Sequence, residues 1–409
     1  MTVALDRNKN ASESEVGYKK VRKYLIPNDW DLIKLGDMST KVGSGKTPRG
    51  GEAVYQNSGI PFIRSQNVLN NRLELNGISY ISDSIHNEMK STKVIPNDVL
   101  LNITGASIGR CCIVPDSFNE GNLNQHVCII RTKDTLDRNY LVNILLSPIG
   151  QNQIMNNQAG GNREGLNFEQ IRKFDIPLPP LKEQQKIASI LSTWDKAIEL
   201  KEKLIEQKKE LKKGLMQKLL TGEVRLPGFE GEWKEVKLAK VSKRIKGKAV
   251  EYLEDGKFPA IDMDYLESGL FKNFSNDATV FAKKQDVLLL WDGSRAGMAF
   301  TGVKGAVGST FVKLECKSIH NIFLQKHLEM NERKIQRLRE GSGIPHVPKD
   351  FLNFYKIKMP SMDEQQAISN VLNNMDKDLE FLQKEIVYIK QQKQGLMQQL
   401  LTGKVRVKV

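Results

Sequence analysis

Little in this sequence supports covalent or metal-held stability. Its 409 residues include only four cysteines, Cys111, Cys112, Cys128 and Cys316, with no C-x-x-C, and five histidines with no H-x₃₋₅-H pair. A disulfide framework and a structural zinc site are therefore not expected. No apolar run approaches the ~18–20 residues that a bilayer demands, and residues 1–20 hold no apolar stretch of signal-peptide length. We expect a cytoplasmic protein with no membrane association.

Catalytic signatures are missing as well. Gly43-Ser44-Gly45-Lys46-Thr47 ends like a phosphate-cradling Walker A loop, but the full spacing requires glycine at position 40, where Thr40 stands. No apolar strand leads directly into it, so it reads as a polar turn. Pro115-Asp116 is followed by no acid-x-Lys within thirty residues, as a metal-dependent nuclease would need. The only Pro-Pro, Pro179-Pro180, precedes Leu181 rather than the aromatic residue of a base-flipping methyltransferase loop. Nothing assembles an active site, and no cofactor or metal is expected in this chain.

What is present is charge, length and repetition. With 62 Lys+Arg against 48 Asp+Glu the chain carries +14, which favours a polyanionic partner. The excess is spread along the chain; the densest run, Lys237 to Lys248, reads as a solvated face or a phosphate-contacting stripe. A hydrophobic share of 39% permits packed cores, and the length suggests about two to four domains.

An internal repeat organises the whole. Ile176–Leu226 aligns without a gap on Ile357–Val407, 181 residues later, with 24 of 51 positions identical. Glu183-Gln184-Gln185 matches Glu364-Gln365-Gln366, and Gly214-Leu215-Met216-Gln217 matches Gly395-Leu396-Met397-Gln398, followed in both copies by Leu-Leu-Thr-Gly. A repeat this long marks a duplicated unit rather than a solenoid. Each copy reads as one helix of about forty residues, ~60 Å long, entered after Pro180 or Pro360 and capped by Gly222 or Gly403.

Both helices carry a coiled-coil seam. In the second copy it comprises Ile368, Leu372, Met375, Leu379, Leu382, Ile386, Ile389, Leu396 and Leu400, broken only by Lys393. In the first it comprises Ile187, Leu191, Trp194, Ile198, Ile205, Leu215 and Leu219, interrupted by Lys201, Lys208 and Lys212. A helix with an apolar stripe must bury it, and the nearest complementary stripe is the other copy. We expect the two to pair antiparallel within the chain, with a globular unit near each end.

The globular segments share a frame. Both open with Trp-x-x-(Ile/Val)-Lys-Leu, at Trp30–Leu35 and Trp233–Leu238. Asp98-Val99-Leu100-Leu101 leads to Gly105 and Gly109, as Asp286-Val287-Leu288-Leu289 leads to Gly293 and Gly297. Both close with a glycine-containing polar loop, Gly160–Gly165 and Gly341–His346, and between these landmarks the two sequences barely match. Short apolar runs such as Ile60–Ile63 and Val127–Ile130 suggest an α+β fold with loop-rich strands. The expected organisation is a disordered 1–17, a globular 18–180, a helix in 181–227, a globular 228–360 and a helix in 361–409.

Taken together, these features resemble the specificity (S) subunits of type I restriction-modification systems, over nearly the whole chain from about residue 18. The resemblance rests on the duplication, on Pro177–Ile187 with its partner Met359–Ile368, on the Gly-Leu-Met-Gln-x-Leu-Leu-Thr-Gly endings, on Gly45-Lys46-Thr47-Pro48 and on Leu226–Trp233. It implies two target-recognition domains, each reading one half of a bipartite, asymmetric sequence in double-stranded DNA, with the helix pair as spacer. It further implies no catalysis in this chain, but two methyltransferase (M) subunits that methylate adenine with S-adenosylmethionine, docked in part on helix flanks such as Phe381 and Val387. Two restriction (R) subunits using ATP and Mg²⁺ would complete the complex. DNA contacts are then expected from Lys46, Arg49, Arg64, Gln66, Asn67, Ser107, Arg110, Asn162 and Arg163 in the first globular segment. In the second they are expected from Lys246, Lys248, Ser294, Arg295, Ser309, Thr310 and His346. The competing reading is a coiled-coil scaffold that joins two protein-binding modules.

Overall fold

The computed structural model describes residues 17–158, 165–341 and 343–409, which form two compact units. One comprises the described residues up to Leu200 together with Ile386–Val409; the other is Lys201–Glu385. The expected disordered segment lies outside the described residues apart from Gly17.

Each unit builds the same two four-stranded sheets. In the first unit one sheet runs Cys111–Ile113, Val99–Asn102, Val127–Thr132, Ser39–Ser44, all antiparallel. The other runs Ser79–Ile81, Ile60–Ile63, Gly121–Leu123, Lys93–Val94, and its central pair is parallel. The second unit repeats the first sheet as Ala299–Phe300, Val287–Leu290, Phe311–Cys316, Ser242–Lys246. It repeats the other as Phe274–Ser275, Phe258–Ile261, Gly305–Val307, Phe281–Ala282, again with a parallel centre.

The apolar strands Val99–Asn102 and Val287–Leu290 are buried along their whole length because both faces are covered. Val99 and Leu101 pack with Trp30, Tyr140 and Leu191, while Leu100 packs with Ile63, Leu123 and Ile129 on the opposite face, as a period of two requires. Cys111, Cys112 and Cys128 are buried apolar residues of the same unit. The Trp-x-x-(Ile/Val)-Lys-Leu segments supply Asp31–Lys34 and Lys234–Lys237. Each pairs with the strand that leads into a long helix, Asp175–Leu178 or Lys356–Met359.

The long helices are Leu181–Thr221 and Met362–Leu401. Gly222 and Gly403 follow them at φ of 76° and 70°, the left-handed cap conformation that glycine adopts without a Cβ penalty. Among the seam positions, Ile187, Leu191, Ile205, Leu219, Ile368, Leu372, Leu379, Leu382, Ile386 and Leu400 are buried. Trp194, Ile198, Leu215, Met375, Ile389 and Leu396 are half-buried, whereas Leu204, Leu211, Phe381 and Val387 are exposed.

The lysines that interrupt the seams meet acids. In the first unit Lys393 Nζ lies 2.5 Å from Asp195. In the second Lys212 lies 2.5 Å from Asp376 and 2.8 Å from Glu329, and Lys326 reaches the same two carboxylates at 2.5 and 2.9 Å. Lys212 and Asp195 precede Lys393 and Asp376 by the repeat offset, so one ion pair occurs twice. Burial alone would raise the pKa of Glu329, but Lys326 and Lys212 overcome that and hold it down at about 2.

The residues that are identical in both repeats fasten the helix ends. Beyond its cap, Arg406 donates to Glu183 at 2.7 and 2.8 Å and to Asp29 at 2.9 and 2.7 Å, over the Trp30 ring at 5.7 Å. Arg225 donates to Glu364 at 2.6 and 2.7 Å and lies over Trp233, also at 5.7 Å. Such two-pronged charged pairs fix geometry as well as adding attraction. Gln184 accepts from the Asp137 N–H at 2.8 Å, and Gln365 accepts from the His320 N–H at 2.9 Å. Both glutamines therefore tie a helix start to the globular part of their own unit.

Candidate nucleic-acid interface

In the first unit four strands end at one cluster of loops. The strand Ser39–Ser44 runs into Gly45, where a Cβ would stand 1.6 Å from the Leu123 carbonyl oxygen, so no other residue permits this crossing. The Lys46 N–H then donates to Leu123 O at 3.2 Å, the Asn124 N–H to Ile63 O at 3.0 Å, and the Ile103 N–H to His126 O at 3.0 Å. The Leu166 N–H closes the cluster on Ile103 O at 2.9 Å.

The second unit repeats these four bonds. Lys248 donates to Val307 O at 3.2 Å, Gly308 to Ile261 O at 3.1 Å, Trp291 to Thr310 O at 2.8 Å and Val347 to Trp291 O at 2.9 Å. Gly247 takes the place of Gly45, with a Cβ position 2.1 Å from the Gly308 oxygen. The backbone frame is duplicated while its side chains are not. Thr104, Gln125 and His126 correspond to Asp292, Ser309 and Thr310, and Lys46 corresponds to Lys248.

Most residues expected to touch DNA lie on these loops. Lys46 and Arg49 are exposed on the turn after Ser39–Ser44, and Gln66 is exposed after Ile60–Ile63. Arg64 packs over Tyr55 at 5.4 Å and reaches Glu52 at 3.4 Å. Asn67 is buried and accepts from the Arg64 N–H at 2.9 Å, so it shapes its own turn. The buried Asn102 donates to Ser65 O at 2.9 Å and to Ser107 Oγ at 3.1 Å, joining that turn to the Gly105–Arg110 loop, on which Arg110 is exposed. Asn162 and Arg163 lie outside the described residues.

In the second unit Lys246, Lys248, Ser294, Arg295 and Ser309 are exposed, and Thr310 and His346 are half-buried. Lys246 lies 3.6 Å from Asp292, whose backbone bridges to His346. Positive charge and polar side chains thus converge at the loop cluster of each unit, as phosphate contact and base-edge readout require.

The sequence reading missed Thr47, Thr104, Gln125 and His126, although it chose Ser309 and Thr310, the counterparts of the last two. His126 is one of the five histidines that form no H-x₃₋₅-H pair, yet its Nδ1 lies 2.6 Å from Thr104 Oγ1 and its Nε2 lies 3.1 Å from the Gln125 amide nitrogen. The available signal was position, since both pairs follow, after one intervening residue, the Gly-initiated strands Gly121–Leu123 and Gly305–Val307.

Two divergent polar loop clusters on one duplicated frame define a recognition protein. The chain belongs to the family of the type I restriction modification DNA specificity domain, which it matches over residues 27–210 and 230–391. It is similar to the MjaX type I restriction enzyme specificity subunit of Methanocaldococcus jannaschii, at 26% identity over 421 aligned residues, 96% of this chain and 98% of the relative. It is also similar to the MjaVIII specificity subunit of the same organism, at 34% over 179 residues, 42% of each chain. The crystal structure of a type I restriction-modification S subunit from M. genitalium has the same fold, with a TM-score of 0.60 at 17% identity over 91% of this chain and 96% of that one. The chain is a DNA-sequence recognition subunit of a type I restriction-modification system, and its relatives are named specificity subunits. No helix among the described residues is long and apolar enough to cross a membrane.

Proposed function

We propose that each unit reads one half of a two-part DNA sequence through its loop cluster, and that the two halves differ. The observation that carries this reading is the duplicated frame with unlike side chains at matched positions, Thr104, Gln125 and His126 against Asp292, Ser309 and Thr310. Readers of a composite site must match its half-site spacing, and this reading gives that role to the helix pair. Support for antiparallel pairing lies inside each unit. Lys201, Lys208 and Lys212 meet Glu385, Asp378 and Asp376, so partner numbers fall as helix numbers rise, and Asp195 meets Lys393. On this reading the target-recognition domains are 18–180, within the first unit, and 228–360, within the second.

This reading makes the chain the cytoplasmic reader for two methyltransferase and two restriction subunits, which bring S-adenosylmethionine, ATP and Mg²⁺. Exposed helix positions such as Phe381, and separately Val387, are available to the former. The test is to co-express the chain with its methyltransferase subunit and sequence the duplexes it selects from a random pool at near-physiological salt. Two unlike half-sites around an unread gap are expected. Binding that is blind to sequence, or two identical halves, would overturn the proposal.

A further inference from the structure

Gln125 stands out in the first unit's loop cluster because it is exposed yet held on both sides. Its Oε1 accepts from the Thr47 hydroxyl, and its Nε2 lies 3.1 Å from His126 Nε2. The amide nitrogen can only donate, so His126 Nε2 accepts, and its Nδ1–H donates to Thr104 Oγ1 at 2.6 Å. The backbone beneath is fixed as well, since the His126 N–H donates to Asn124 Oδ1 at 3.1 Å and its carbonyl accepts from Ile103. A glutamine would otherwise lose freedom around three side-chain bonds on binding; here that ordering precedes the ligand.

The valence count then defines what it can read. A carboxamide has two N–H donors and two acceptor lone pairs. Thr47 takes one lone pair and His126 one N–H, and among the described residues the group has no further partner. One donor and one acceptor remain on the same carboxamide. Adenine presents their complement in the major groove, an acceptor at N7 beside a donor at N6.

We propose that Gln125 reads an adenine in the half-site of the first unit, with Thr47 and His126 as positioning residues that set its amide plane. This rests on the reading of the chain as a two-part DNA reader. In the second unit the matched position is Ser309, which cannot make the same two-pronged pair, so the assignment is specific to one half-site.

The experiment selects duplexes from a random pool with full-length chain and its methyltransferase subunit, comparing wild type with Gln125→Ala, Gln125→Glu, Thr47→Val and Thr47→Ser. Wild type must first return a two-part motif; if it does not, the broader reading fails and the variants are not interpreted. Given that motif, Gln125→Ala should relax one adenine position in one half-site by about 10-fold or more and leave the other half unchanged. Gln125→Glu, now acceptor-only, should move that position toward cytosine. Thr47→Val should blur it, and Thr47→Ser should retain it, a difference that a merely structural threonine would not produce. An unchanged motif in Gln125→Ala, or an equal loss of affinity for every sequence in a folded variant, overturns the assignment. Should Gln125→Ala fail to fold, Gln125→Glu decides alone, and an unaltered base preference there overturns it too.

Discussion

His327 is buried on the helix Asn321–Met330, its Nδ1 3.4 Å from the Tyr355 hydroxyl and its ring edge-on to Tyr355. Burial, with a smaller contribution from Lys334, lowers its pKa to about 4. The unfolded chain takes up this proton near pH 6.5, so between pH 6.5 and 4 the unfolded state binds more protons and stability falls as the pH falls. From pH 6.5 to 4.5 the loss is about 2–3 kcal/mol. Glu329 does not confuse the window. Its stabilisation is intact above the ordinary carboxylate range and is lost only as the pH falls toward about 2. Urea unfolding at pH 6.5 and 4.5 should show this decline in wild type and much less of it in His327→Phe. Equal declines would mean that other groups carry the acid response.

At the scale of the helices, the polar breaks in the seam carry the register. Lys393 is 8% exposed and pairs with Asp195, so removing the acid strands a charge in the interior. Asp195→Ala should cost about 1–3 kcal/mol, discounted because that carboxylate is itself a third exposed. Adding Lys393→Met should recover most of the loss, since an apolar side chain of similar length suits the seam. Thermal unfolding of the single and double variants measures both, and a double variant no more stable than the single would place the cost elsewhere. The same residues show what was legible in advance. The helices, their caps and the doubled Glu-Gln-Gln and Leu-Leu-Thr-Gly motifs were plain, because helix packing and capping demand particular side chains at fixed spacing. The pairing of Lys212 with Asp376 and of Lys393 with Asp195 was hidden, because single-helix periodicity scores a lysine as a break and does not see the opposite acid. The doubled sheets were hidden too. Their identity lies in backbone bonds such as Lys46 to Leu123 and Lys248 to Val307, which almost any side chain permits.

For the molecule as a whole, the proposed two-part reading divides affinity from specificity between the +14 charge and the two loop clusters. Lys46 and Lys248 occupy the same backbone position in the two units, are exposed, and form no side-chain ion pair among the described residues. A cation held at that point on a rigid strand end suits a phosphate, whose neutralisation releases condensed counterions whatever the bases are. Each lysine that contacts one phosphate contributes about 0.9 to the slope of log affinity against log salt. Lys46→Ala and Lys248→Ala should therefore each flatten the slope by about 0.9. The double variant should flatten it by about 1.8, since the two residues share no partner and their effects add. Binding titrations over a series of salt concentrations on the wild-type target read this out, and the selected motif should not change in any of the three. If one substitution changed the base preference of its half-site while the slope stayed put, that lysine would be reading a base edge. The duplicated frame would then differ between units in how it uses the same position, with phosphate on one side and sequence on the other.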